Sequence, residues 1–189
     1  MDRSIVAKLA DPPDRRSIGP ANQVAEDVLA DPRLFEAVFA AINDDEPVVA
    51  MRAADAVEKI TRTRPDLLYP QLDALLAIAA TAEYKEVRWH AAQLLGRVPL
   101  TPHQRDRAVD VLLGYLHDRS SIVKTFAMQT LADLSKSDQD LHARVFPLIE
   151  QLSATGTPAM RARGRKLLTH PPGDSGEFDS AGAGISSSP

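Results

Sequence analysis

The sequence has no cysteine, which removes disulfides, thiolate metal sites and cysteine nucleophiles from consideration. Aromatic residues make up only 5% of it while alanine and leucine abound, a balance that favours closely packed helices over sheet. Long apolar runs are missing too. The longest, Ala74–Ala80, falls far short of the roughly 20 residues a bilayer-spanning helix needs. The patch Ile5–Ala7 is broken by Lys8 and followed by D-P-P-D-R-R, which does not read as a signal peptide, so the expectation is a cytoplasmic protein with no membrane contact. There is no Gly-rich phosphate loop, no H-E-x-x-H pair and no nucleophile elbow. His90, His103, His117, His142 and His170 lack metal-ligand spacing, so neither a metal nor another cofactor is expected, nor any catalytic residue or small-molecule substrate. A net charge of −4 provides no overall pull toward nucleic acid or anionic membrane.

What the chain does have is a repeat. Glu86–Val98 reads E-V-R-W-H-A-A-Q-L-L-G-R-V, and at about 100° per residue Val87, Ala91, Leu94, Leu95 and Val98 share one narrow arc. The same spacing returns at Val49–Ala53–Ala56–Val57–Ile60, at Val123–Ala127–Thr130–Leu131–Leu134, and at Met160–Gly164–Leu167–Leu168. The lead residues Val49, Val87, Val123 and Met160 are 38, 36 and 37 positions apart, a period that marks stacked helical repeats. Val38, Leu76, Leu112 and Ile149 each lie 11 residues before their lead residue and confirm the register. A competing register would align Arg52, Arg88, Lys124 and Arg161, but it would put Asp55 in the small-residue column of Ala91, Ala127 and Gly164. Ala53 fills that column instead, so the basic column begins at Arg88.

Taken in order, residues 1–20 show little pattern; Ser4–Leu9 has room for a helical turn or two before Pro12–Pro13 ends it. Ala21–Ala30 is amphipathic and reads as a capping helix, closing an N-terminal segment of residues 1–30. Repeats follow over about 31–62, 65–98, 101–135 and 137–169. Asp31-Pro32 opens the first, whose first helix should run to about Ile42, and Pro65-Asp66 opens the second. Thr101 with Gln104 forms a capping box at the third, and Thr157-Pro158 caps the last helix. The Gly-, Ser- and Ala-rich stretch 170–189 is expected to be a disordered tail.

The helix pairs, the acidic inter-helix turns (Asp44-Asp45, Asp118) and V-R-x-x-A-A-x-L-L-G-x-V at Val87–Val98 resemble HEAT repeats over about residues 31–169. Prolines inside first helices, Pro70 and Pro147, are similar to that family as well. The resemblance implies an all-α, right-handed α-solenoid of about four helix-pair repeats with an N-terminal capping helix. It also implies a scaffold or adaptor role, with second helices lining a concave surface. Some relatives are enzymes, among them HEAT-like alkylpurine DNA glycosylases.

On the wheel Trp89 and Gln93 face away from the core, and Met51, Asp55, Thr125, Gln129 and Lys166 hold equivalent outward positions. Together they make one strip, with Trp89 as the aromatic anchor for a protein or peptide. Trp89 lying flat against a neighbouring repeat is the competing possibility. Arg88, Lys124 and Arg161 are expected to pair with turn carboxylates and helix ends, Asp118 being one local partner. His90 shares a column with Arg52, Phe126 and Arg163, which reads as a helix flank. Arg161, Arg163, Arg165 and Lys166 crowd the last helix with no acid between them, a pattern suited to phosphate backbones or to the polar cap of a terminal repeat. The expected function is a non-catalytic interaction module. A nucleic-acid-binding protein, including a DNA glycosylase, is the alternative, with Asp55 as the nearest outward carboxylate.

Overall fold

Prolines and capping side chains divide the chain into helices. The structure, a computed structural model, describes residues 3–11 and 19–169, and the tail expected at 170–189 lies outside them. The helices are α1 (Arg3–Ala10), α2 (Ala21–Ala30), α3 (Phe35–Ala40), α4 (Pro47–Thr63), α5 (Leu72–Thr81), α6 (Lys85–Leu95), α7 (Pro102–Tyr115), α8 (Ser121–Leu134), α9 (Gln139–Thr155) and α10 (Pro158–Thr169). No strand occurs among the described residues. Pro47, Pro102 and Pro158 occupy first helical positions, where a missing N–H costs nothing. The Thr101–Gln104 box is formed in both directions, at 3.3 and 3.2 Å. Asp138 caps α9 by accepting from the Leu141 amide at 2.8 Å.

Three stretches differ from the helices expected of them. The first helix of the first repeat is short, with tight three-residue turns at Pro32–Leu34 and Ala41–Asn43 on either side of α3. The helix expected from Pro65 begins only at Leu72, after a tightly wound Pro65–Gln71. Pro70 inside that stretch has no N–H to give and crowds the preceding turn. Helix α6 stops at Leu95 rather than Val98, because Gly96 follows and Pro99 disfavours helical geometry at Val98.

Each odd-numbered helix packs on the even-numbered one after it, and the even-numbered helices pack in series, α2 on α4, α4 on α6, α6 on α8 and α8 on α10. The core follows the sequence columns. Val49, Val87, Val123 and Met160 are buried, as are Val38, Leu76, Leu112 and Ile149. Polar contacts stitch the layers: Thr130 donates to the Ala92 carbonyl at 2.7 Å, and the buried Tyr115 hydroxyl donates to the Ala79 carbonyl at 2.5 Å. Arg88 bonds Asp118 at 2.7 Å and the Glu83 carbonyl at 2.7 Å, tying the turn before α6 to the turn before α8.

The small-residue column sits where helices approach. Ala53, Ala91, Ala127 and Gly164 are all buried. A methyl group at Gly164 would stand 2.6 Å from the Ser153 Cβ on α9, which is why glycine replaces alanine there. Ala91→Leu, at a buried position of α6, is expected to cost ~1–3 kcal/mol through overpacking. Thermal melting checks it, and an unchanged Tm would overturn the packing register.

The N-terminal region adds more than the one capping helix expected. Helix α1 buries Ile5 and Leu9 against α3 and α4. Arg52, from the middle of α4, is fully buried and donates to the Leu9 carbonyl at the end of α1, 2.7 Å away. Its guanidinium also lies beside Gly19, whose φ of +54° and lack of a side chain allow the approach.

Candidate functional site

Along the row of even-numbered helices, α4, α6 and α8 enclose a cavity of about 450 Å³ toward their C-terminal ends. Its walls include Arg62 from α4, Gln93 from α6, Arg97 just beyond α6, and Phe126, Gln129 and Asp133 from α8.

The wall between α4 and α6 is built on one carboxylate. Glu58 is 1% exposed, yet two guanidiniums meet it: Arg62 donates through Nε at 3.0 Å, and Arg97 through Nη2 at 2.6 Å. Arg62 Nη2 also lies 2.8 Å from the other carboxylate oxygen. A buried carboxylate is tolerated only when so paired, and the pairing fixes both arginines at the cavity edge. The α8 wall is likewise organised. Gln129 donates to Asp133 at 2.9 Å and accepts from Arg163 of α10 at 2.6 Å.

A second polar group lies between α2, α4 and α6. Lys59 bridges Asp55 at 2.6 Å and Asn22 of α2 at 2.5 Å, and Asp55 stands 3.9 Å from His90 Nε2. Burial holds the Asp55 carboxyl above the usual range despite Lys59. His90 is 2% exposed, and neither its Nδ1 nor the Gln93 Oε1 has a hydrogen-bond partner among the described residues. Burial first, then the positive charges of Lys59 and Arg62, depress the His90 pKa to about 3.

A stability prediction follows from His90. The unfolded chain takes up a proton near pH 6.5, whereas the folded imidazole resists it until about 3. Stability from this group is therefore complete above pH 6.5 and is lost as pH falls toward 3, about 2 kcal/mol of it by pH 5. Asp55, with its raised pKa, acts in the opposite sense and offsets part of the loss. Urea unfolding at pH 7 and pH 5 should show a larger drop for the wild type than for His90→Gln. Equal drops would remove His90 from the account.

The expected strip reaches this region only in part. Gln93 and Gln129 line the cavity. Trp89, expected to project outward, is instead partly buried and stacked on His90 and on Phe126 of the next repeat, with ring centroids 3.6 and 5.3 Å apart. The close approach of α8 covers its face. Thr125, also expected outward, is buried, and its hydroxyl donates to the Ser121 carbonyl at 2.7 Å. Met51 and Asp55 are partly buried and Lys166 is exposed; none of the three lines the cavity. The column Arg52–His90–Phe126–Arg163 lies on a helix flank that packs against other helices. Arg52 and His90 are buried in it, because it faces the neighbouring even-numbered helix. The basic residues of α10 also divide: Arg161 donates to the Gly156 carbonyl at 2.8 Å and Arg163 to Gln129, while Arg165 and Lys166 are exposed. Sequence reasoning missed Glu58, Arg62, Arg97 and Phe126. The available signal was Glu58 four residues before Arg62 and close to one repeat before Arg97.

Helix pairs stacked in series, with a groove along one row of helices, define an all-α helical-repeat protein. The chain belongs to the HEAT-repeat family, whose HEAT repeat domain model matches residues 8–170. That match takes in all of α2 and the end of α1, beyond the span recognised in the sequence. Among curated proteins no match is found. HEAT repeats commonly mediate protein interactions, and no helix among the described residues is long and apolar enough to cross a membrane.

Proposed function

We propose that this chain is a non-catalytic interaction module that holds a protein or peptide partner in the groove along α4, α6 and α8. The observation carrying this reading is the cavity itself. Its polar side chains come from three successive even-numbered helices and are held by contacts between helices, as Arg97 is by Glu58 and Gln129 by Arg163. Such preorganisation lowers the entropy lost on binding. This row is also the one the family resemblance assigns to a concave face. Gln93 and Gln129 then supply orienting hydrogen bonds, Phe126 supplies apolar contact, and Trp89 supports Phe126 rather than serving as the free anchor.

The nucleic-acid alternative draws less support. Arg161 and Arg163 are engaged with acceptors inside the protein, and Asp55, the carboxylate a glycosylase reading would use, is held by Lys59.

Affinity capture tests the proposal, using the tagged full chain and a Gln93→Trp variant that fills the groove, each with and without nuclease. A partner that survives nuclease and is lost with Gln93→Trp, while that variant melts like the wild type, is the expected result. Recovery indifferent to Gln93→Trp would overturn the groove. Recovery abolished by nuclease would shift the site to α10.

A further inference from the structure

We propose that the groove recognises an extended peptide segment through an acidic side chain, whose carboxylate docks between Arg62 and Arg97. This rests on the groove being the partner site and adds the chemistry of what enters it.

Charge bookkeeping at the α4–α6 wall leads there. Glu58 is one carboxylate serving two guanidiniums, so the wall keeps one uncompensated positive charge at the cavity edge. Arg97 uses one N–H on Glu58 and has no other side-chain partner among the described residues, which leaves the rest of its fork available. Its side chain is only 15% exposed, so a carboxylate reaching it meets a partly desolvated, immobilised guanidinium. The opposite wall does not cancel this excess. Asp133 already pairs with Lys136 at 2.8 Å and accepts from Gln129 at 2.9 Å, and Arg163 stands behind Gln129 as a further cation. Asp55 is neutralised by Lys59 and lies outside the cavity lining.

A second carboxylate at this wall completes an alternating set of two guanidiniums and two carboxylates. Each incoming oxygen gains a charge-assisted bond without the protein rearranging. Gln93 supplies the complementary group one helical turn away. Its side chain lines the cavity beside Arg97 and brings an amide to the same segment. A basic side chain would meet repulsion from Arg62 and Arg97, and a neutral amide would forgo the charge pairing.

The test uses the full-length protein immobilised and three pools of random nine-residue peptides, with the central residue held as Glu, Gln or Lys. Retention of the Glu pool about tenfold above the Gln pool is expected, with the Lys pool lowest. The preference should shrink several-fold on raising NaCl from about 50 to about 500 mM. Arg97→Gln should abolish it, while Lys85→Gln, an exposed cation at the opposite end of α6 from the cavity, should leave it intact. The wild-type comparison needs no variant and so is independent of any folding defect in Arg97→Gln. Equal retention of the Glu and Gln pools overturns the carboxylate dock. If captured partners are still lost with Gln93→Trp in that case, the groove stands and only its chemistry is wrong.

Discussion

Replacing Arg52 with methionine is expected to destabilise the protein by on the order of 3 kcal/mol and to free α1 from the rest of the fold. Methionine keeps much of the volume in the core but has no donor for the Leu9 carbonyl, which now receives a charged N–H at 2.7 Å. A buried carbonyl stripped of a charged partner loses about 1.5–3 kcal/mol. The looser attachment of α1 then weakens the burial of Ile5 and Leu9. Urea unfolding measures the first effect, and hydrogen exchange of the α1 amides measures the second. An unchanged midpoint with α1 still protected would show that apolar contacts alone hold the helix.

Glu58→Gln is expected to cost about 3 kcal/mol, although glutamine nearly matches glutamate in shape. The loss arises because Arg97, and to a smaller extent the more exposed Arg62, keep their charge while the compensating carboxylate disappears. Calorimetric melting of Glu58→Gln, Arg97→Gln and the double variant closes a cycle. A coupling energy of at least about 1 kcal/mol between the two positions is expected, since removing both leaves only the more exposed Arg62 without its carboxylate. Additive losses would mean that Glu58 and Arg97 do not act as a unit. The two variants that lack Arg97 should also lose the preference for acidic peptides, because the guanidinium that would receive the carboxylate is gone.

The layered core was legible because burial repeats with the period of the helix pair. Val49, Val87, Val123 and Met160 meet the same kind of neighbour in each repeat, so the same kind of side chain recurs. Local punctuation was legible for a similar reason. The Thr101–Gln104 box involves groups three residues apart and needs no tertiary information. Arg88 with Asp118 spans 30 residues, yet it too could be anticipated, since both residues sit at the turns where successive repeats abut.

The site was less legible. A helical wheel reports the direction a side chain takes from its own axis, and Trp89, Thr125 and His90 were assigned by that direction alone. Whether the direction ends in solvent or on a neighbour depends on how closely the next even-numbered helix approaches. That closeness covered Trp89 with Phe126 and buried Thr125 and His90. Glu58 and Arg62 look from sequence like an exposed i,i+4 pair, and Arg97, 39 residues from Glu58, completes a triad around what is in fact a buried carboxylate. By itself, then, the sequence determined the helical periodicity, the register of the core columns and the family, because each is written in local spacing repeated along the chain. Only the tertiary structure decided that Arg52 anchors α1, that Glu58 gathers two arginines, and that a cavity opens beside them. Burying a charge depends on a partner from a distant segment, and no local pattern records where that partner will stand.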